Sequence, residues 1–261
     1  MKNDLSYCGR FAFSGSRNHQ NSGTFYGIFP FGRSIVALAL LLIAGCTAHS
    51  TSELAPGGEP GFQQQVKEVR AGRSDKIHVE QSLVTDTDLA LLCELTGLHE
   101  LIIERAEITD AGIAHLAGLE NLEHVTIRVG QIGDAAMKHL ASLQKLKFLN
   151  VPHADFTDAG LAELKRLPRL VQLRFGSPHV TNQGMVHVKE MHSLRFLHLI
   201  DVPITDDGLA QLEGMTHLES LYIDGAELSE QSLQHLFEAL PNLHVHLDQQ
   251  HHDRDPHKHA H

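Results

Sequence analysis

Acidic side chains recur in this sequence at a spacing that could serve chemistry. Asp86, Asp110, Asp134, Asp158 and Asp206 each follow a Thr or a Gly, and Asn182 and Glu230 hold the same place after Thr181 and Ser229. Every interval is 24 residues. Carboxylates of this kind could act as general acids and bases or bind calcium. Such chemistry gathers a few groups at one point, whereas here one group is issued per unit along the chain. A Thr or Asp just before a helix has a simpler use. It accepts hydrogen bonds from the first free N–H groups, and Asp also meets the positive end of the helix dipole. We read the pairs as helix starts.

Histidine offers a second possibility. Of 21 His residues, seven lie between His244 and His261. His244 and His246 alternate in a segment with strand spacing, so both face one side; His198 falls two strands away in the same row, and Asp248 follows. Imidazoles beside a carboxylate suit zinc, copper or nickel, and the tail HHDRDPHKHAH adds five more. No fixed ligand spacing accompanies them. A solvated polar tail is therefore expected and no cofactor is assigned. A transition-metal site at His198, His244, His246 and Asp248 is the alternative.

Enzyme signatures are missing: the sequence has no phosphate-cradling Gly loop, no GxSxG, no HExxH and no CxxC. Cys93 stands next to Leu92 in a helical stretch, a place for a packed thiol rather than a nucleophile. The formal charge of −11 excludes a protein built to neutralise phosphates, so nucleic acid is not a partner. These residues point to a binding protein rather than an enzyme.

The elements that position these residues follow from the 24-residue period. After each Thr-Asp element, apolar residues fall three apart, as in Ile113, Leu116, Leu119 and Leu209, Leu212, Met215. That spacing predicts one face of a short helix or helical turn. Alternation follows, as in Leu101-x-Ile103, Leu149-x-Val151 and Leu221-x-Ile223, and predicts a short strand with one face buried. Carried to both ends, the phase adds Ile77-x-Val79 and Val245-x-Leu247, for about eight strands. Elements this short are not stable alone, but stacked they share one core. The expected fold is an α/β solenoid, with a curved parallel sheet inside and short helices outside.

Leu98-x-x-Leu101-x-Ile103, preceded by a short helix, resembles the leucine-rich-repeat family, and the ITDxGLxxLxxLxxL phrasing resembles its 24-residue bacterial variety. The resemblance covers roughly residues 75–247. It departs from the common pattern in the loop after the strand, where the polar residue is replaced by Ser82, Ala106, Gly130, Ala154, Pro178, Val202 and Ala226. Proteins of this family commonly bind partners on the inner surface of the curve. In this sequence that surface carries Phe148, Asn150, Arg174, Phe196, His198 and Tyr222. Aromatic rings and Arg are the residues enriched at interface centres. The resemblance thus implies a protein or cell-envelope ligand on the concave face of a monomer.

The start of the chain has a different character. Arg33 precedes the apolar run Ile35–Gly45, too short to span a bilayer as a mature helix but suited to a signal peptide. Ile43-Ala44-Gly45-Cys46 resembles the lipobox of bacterial lipoproteins, which implies a cleaved leader (residues 1–45) and a lipid on Cys46. Removal of the leader takes away Lys2, Arg10, Arg17 and Arg33 against one acid, Asp4, so the remainder is more acidic still. Membrane attachment then rests on the lipid anchor alone. The Pro/Gly/Ser-rich stretch up to residue 60 is a tether. Residues 61–248 form the repeat domain, opened by a capping helix in Gly61–Gly72, and residues 249–261 form a disordered tail. The expected location is the cell envelope, after export from the cytoplasm.

Overall fold

The computed structural model describes residues 60–251; the leader, Cys46 and its tether, and residues 252–261 lie outside them. A helix α1 (Phe62–Arg70) precedes the first strand, β1 (Lys76–Val79). Seven more strands of the same sheet follow: β2 (Glu100–Ile103), β3 (His124–Ile127), β4 (Phe148–Val151), β5 (Gln172–Phe175), β6 (Phe196–Ile200), β7 (Ser220–Asp224) and β8 (His244–Leu247). They form one parallel sheet in chain order, in a register that pairs each residue with its counterpart one repeat later, as Lys76 with Glu100 and Arg174 with His198. Alternation decides which face is buried. Ile77, Leu101, Val125, Leu149, Leu173, Leu197, Leu221 and Val245 are all 0% exposed.

Between strands lie α2 (Asp86–Leu89), α3 (Asp110–Ala114), α4 (Asp134–Leu140), α5 (Asp158–Glu163), α6 (Asn182–Val188), α7 (Asp206–Ala210) and α8 (Glu230–Ala239). Several are barely one turn. The three-residue spacing then continues as tight turns: Leu116 N–H bonds Ile113 O, Leu119 bonds Leu116 and Leu122 bonds Leu119, each at 2.9 Å. Bonds to the third residue back eclipse side chains at that interval, so one Leu row faces inward without a long helix. Neighbouring strands need about 4.8 Å and packed helices about 8–10 Å, which puts the sheet on the inside of the curve.

The repeated Asp is not the helix cap its position suggests. The cap is the residue before it: Thr109, Thr157 and Thr181 accept from the N–H two residues on, and Ser229 from Ser232. The Asp reaches the next rung instead. Asp86 accepts from Thr109 N–H at 2.8 Å and its hydroxyl at 2.6 Å; Asp158 does the same to Thr181 at 2.8 and 2.7 Å. Asp134 takes Thr157 likewise and adds Gly160 N–H at 3.0 Å. Asn182 substitutes by accepting from Thr205 N–H and donating to its hydroxyl. Bonds from the Ser229 backbone, the Ser229 hydroxyl and the Ser232 hydroxyl hold the Asp206 carboxyl below the usual carboxylate range. A column of inter-rung bonds thus links each helix start to the next.

The loop after each strand is closed differently. Ala106, Ala154 and Val202 are buried, and main-chain bonds such as Gln131 N to Ile108 O and Asp155 N to Ile132 O hold the turns. One position here repeats a left-handed backbone: Val129 (φ 62°), Asp201 (51°), Gly225 (76°) and Gln249 (63°). A β-branched residue fits that region badly, and Val129 is 57% exposed, so it gains little from packing. Val129→Asn should raise stability by about 0.5–1 kcal/mol. A lower urea midpoint in the variant would show that contacts of Val129 outweigh the strain.

Both edges of the sheet are occupied. Gln65 on α1 brackets the outer side of β1, accepting from His78 N–H at 2.7 Å and donating to His78 O at 2.6 Å. Phe62, Val66 and Val69 of the same helix cover the first core layer. At the other end Gln250–His251 forms β9, antiparallel to β8. Gln250–His251 therefore belong to the sheet and not to a disordered tail. The turn is made by Asp248 and Gln249, both at positive φ. Two-residue hairpins need that geometry but normally signal it with Asn-Gly or Asp-Gly, so Asp-Gln gave no warning.

Candidate functional site

Side chains on the open face of β4 to β8 meet in one network. Arg174, in the middle of β5, donates from Nη1 to Asn150 Oδ1 on β4 and from Nε to His198 Nδ1 on β6, each at 3.1 Å. Since Nδ1 accepts, the hydrogen of this imidazole sits on Nε2, which lies 2.9 Å from Asp224 Oδ2. The chain of contacts runs across four rungs and ends on the β8–β9 turn, where Gln249 N–H donates to the other Asp224 oxygen at 3.1 Å. Burial, followed by the nearby Arg128 charge, draws the Arg174 pKa below its ordinary value. The guanidinium stays charged all the same.

Aromatic rings flank this network. Tyr222 stacks on His246, with centroids 4.2 Å apart and planes at 12°, and lies tilted on His198 at 5.3 Å. Phe148 and Phe196 are each 36% exposed, and Phe148 leans on His124 at 5.5 Å. Together Gln172, Arg174, Phe196, His198, Tyr222, His246 and Gln249 line a hollow of about 600 Å³. A larger hollow of about 730 Å³ follows the loops beyond the strands, among Gly130, Pro152, His153, Gly176 and Pro178. Turn residues line it, with neither an arginine nor a phenylalanine or tyrosine ring, so the concave hollow is the stronger site.

Most of the expected concave residues gather here: Asn150, Arg174, Phe196, His198 and Tyr222 join one cluster, with Phe148 one rung from Phe196's neighbour Gln172. Not every outward position is open, however. Thr126 is 4% exposed, Ser220 and His246 8% each, and Tyr222 is partly covered by its histidine neighbours. The Tyr222 ring lying flat on His246 accounts for part of this cover. Asp224 and Gln249 were missed. Asp224 continues the alternation Ser220-x-Tyr222-x-Asp224, since β7 is five residues long, so its place was available in the spacing.

Each member of the histidine set of the metal alternative bonds other groups of the chain. His198 is committed to Arg174 and Asp224, and Asp248 accepts from Gly225 N–H at 2.9 Å. His244 and His246 do approach, Nε2 to Nε2, at 2.9 Å. Among the described residues no group of three or more His, Cys, Asp or Glu is placed to hold a metal ion. Cys93 is partly buried beside His115 Nδ1 at 3.6 Å. The first three rungs carry the ion pairs Lys76–Glu100 at 3.4 Å and Arg128–Glu104 at 2.6 Å, and His124 Nδ1 lies 3.4 Å from Glu100. No helix among the described residues is long and apolar enough to cross a membrane.

No protein-family model matches the sequence, and no curated protein does. Solved structures do. An internalin (inlF) from Listeria monocytogenes str. 4b F2365 superposes with a TM-score of 0.51 at 19% identity, over 70% of this chain and 56% of the internalin's. An internalin C2 (inlC2) from the same strain gives 0.49 at 19% identity, over 69% of this chain and 80% of that one. At that identity the likeness with the first internalin is one of fold. Taken with the 24-residue register of strands, core and turns, it makes the described chain a leucine-rich-repeat solenoid of α/β class.

Proposed function

We propose that this protein is a non-enzymatic binding module that holds another protein, or cell-envelope material, on its concave face. The observation that carries the reading is the convergence of Arg174, Phe196 and Tyr222 on one hollow of that face. Interfaces concentrate their energy in aromatic and arginine anchors, and here they stand on rigid neighbouring strands rather than on loops. The protein works as a monomer, since a capping helix and a hairpin already occupy both sheet edges. It is exported and held at the cell envelope by a lipid on Cys46, with no other membrane contact.

Two measurements test this. A photo-crosslinking residue at Phe196 should capture a partner in cells. Replacing Phe148, Arg174, Phe196 and Tyr222 together should abolish capture of that partner by a crosslinker placed at Gln172; undiminished capture rejects the concave face. Cys46→Ser should move the protein from the membrane to the soluble fraction, and retention on the membrane would refute lipidation.

A further inference from the structure

Arg174 is a partly buried cation whose hydrogen-bond partners are both neutral. It bonds the Asn150 amide oxygen and a ring nitrogen of His198. The nearby carboxylates are committed elsewhere: Glu104 pairs with Arg128 at 2.6 Å, and Asp224 lies against His198 at 2.9 Å. No ion pair among the described residues includes Arg174. A charge drawn partly out of water without a counterion is costly, and an incoming anion recovers that cost. A guanidinium has five N–H donors, and the two bonds above leave others for a ligand. Its planar fork fits a carboxylate through paired N–H···O bonds, as it does a phosphate.

The hollow around Arg174 is larger than one carboxylate requires. Its walls are the rings of Phe196, Tyr222 and His246, and Gln172 and Gln249 supply amides at its rim. Amides pair with peptide groups, donor to acceptor and acceptor to donor. A sugar acid needs many acceptors for its hydroxyls, yet no carboxylate lines the hollow, since Asp224 is turned to His198 and Gln249 N–H.

We propose that this hollow is a carboxylate-receiving subsite, in which Arg174 takes the acidic side chain of an extended segment of a partner protein. Phe196 and Tyr222 cover the apolar neighbours of that side chain. The Asn150 and His198–Asp224 contacts hold the guanidinium in place beforehand, so little side-chain freedom is lost on binding. The subsite deepens the concave-face reading and rests on it.

The chain supplies its own reporter. It has no Trp and only Tyr7, Tyr26 and Tyr222, so the full chain carrying Tyr7→Phe and Tyr26→Phe emits from Tyr222 alone. An acetylated, amidated pentapeptide with glutamate between alanines should change that emission saturably. The glutamine counterpart should bind about tenfold more weakly or less, as should the acidic peptide to Arg174→Gln. Unchanged circular dichroism and urea midpoint of Arg174→Gln keep that comparison valid, and the glutamine peptide tests the wild-type residue without any variant. No saturable response, equal binding of both peptides, or tighter binding of inorganic phosphate or glucuronate than of the acidic peptide would each overturn the subsite. Cellular capture that persists despite a failed titration removes only the subsite. A successful titration with no cellular capture removes the protein-partner reading and leaves an anion site.

Discussion

Phe156→Ala should lower stability by about 3–5 kcal/mol, the usual cost of emptying a large buried ring position. Phe156 and Phe175 are both 0% exposed and pack at 5.3 Å with planes at 45°, between the start of α5 and the end of β5. They sit in the middle of the array. In a solenoid each rung is stabilised by its two neighbours only, so a weakened central rung uncouples the halves on either side. The variant should therefore unfold in a broadened or two-step urea transition, with different midpoints for probes in the first and last rungs. A single coincident transition would show that the rungs are coupled more strongly than nearest-neighbour packing allows. Phe148→Ala and Phe196→Ala make the contrast. With 36% of each ring exposed and no core layer dependent on it, each should change stability far less, by about 1 kcal/mol at most.

Gly112→Ala should destabilise the chain by about 1–3 kcal/mol, even though alanine is the better helix residue by about 1 kcal/mol. A methyl group at Gly112 would overlap the Asp86 carboxylate, which must come close to bond Thr109. Asp86→Ala should itself cost about 1–3 kcal/mol, because it strands the partly buried Thr109 N–H. In the double variant the clash is gone, so the penalty of Gly112→Ala should shrink or reverse. A double-mutant cycle by urea unfolding reads this as coupling beyond about 0.5 kcal/mol, and additive losses would reject the steric account. Two rungs already carry a Cβ at this place, beside carboxylates that keep their bonds: Asp110 accepts from Gly133 N–H at 2.7 Å and Asp206 from Ser229 N–H at 2.9 Å. Where Gly133 replaces the capping Thr, Ala136 stands in the place of the usual Gly, and at the last rung Ser232 fills that place and donates its hydroxyl to Asp206 at 2.7 Å.

The two periods within each unit were legible because burial imposes them: two residues per repeat along a strand, three along the tight turns. Register came with them, since an uninterrupted 24-residue spacing admits one pairing. The role of Asp110 and its counterparts was not legible. A carboxylate at a helix start satisfies the capping rule equally well whether it bonds its own helix or the next rung, and only three-dimensional placement separates the two. The same holds for the site. Alternation put Arg174, His198 and Tyr222 on one face, but nothing in one dimension shows that Tyr222 lies flat on His246, or that Asp224 holds the His198 ring. The hairpin at Gln250–His251 was hidden for a further reason: Asp248 and Gln249 reach positive φ without the glycine that normally announces it.

The column of side-chain bonds has a direction. In every pair the acceptor oxygen belongs to the earlier rung and the backbone N–H to the later one, from Asp86 and Thr109 through Asp206 and Ser229. A chain made from its N-terminus thus presents each acceptor before the group that needs it. Among the described residues α1 comes first, just ahead of β1, whose outer edge it covers. Each later rung thus brings its donor to an acceptor already made, which favours growth of the stack from its N-terminal end.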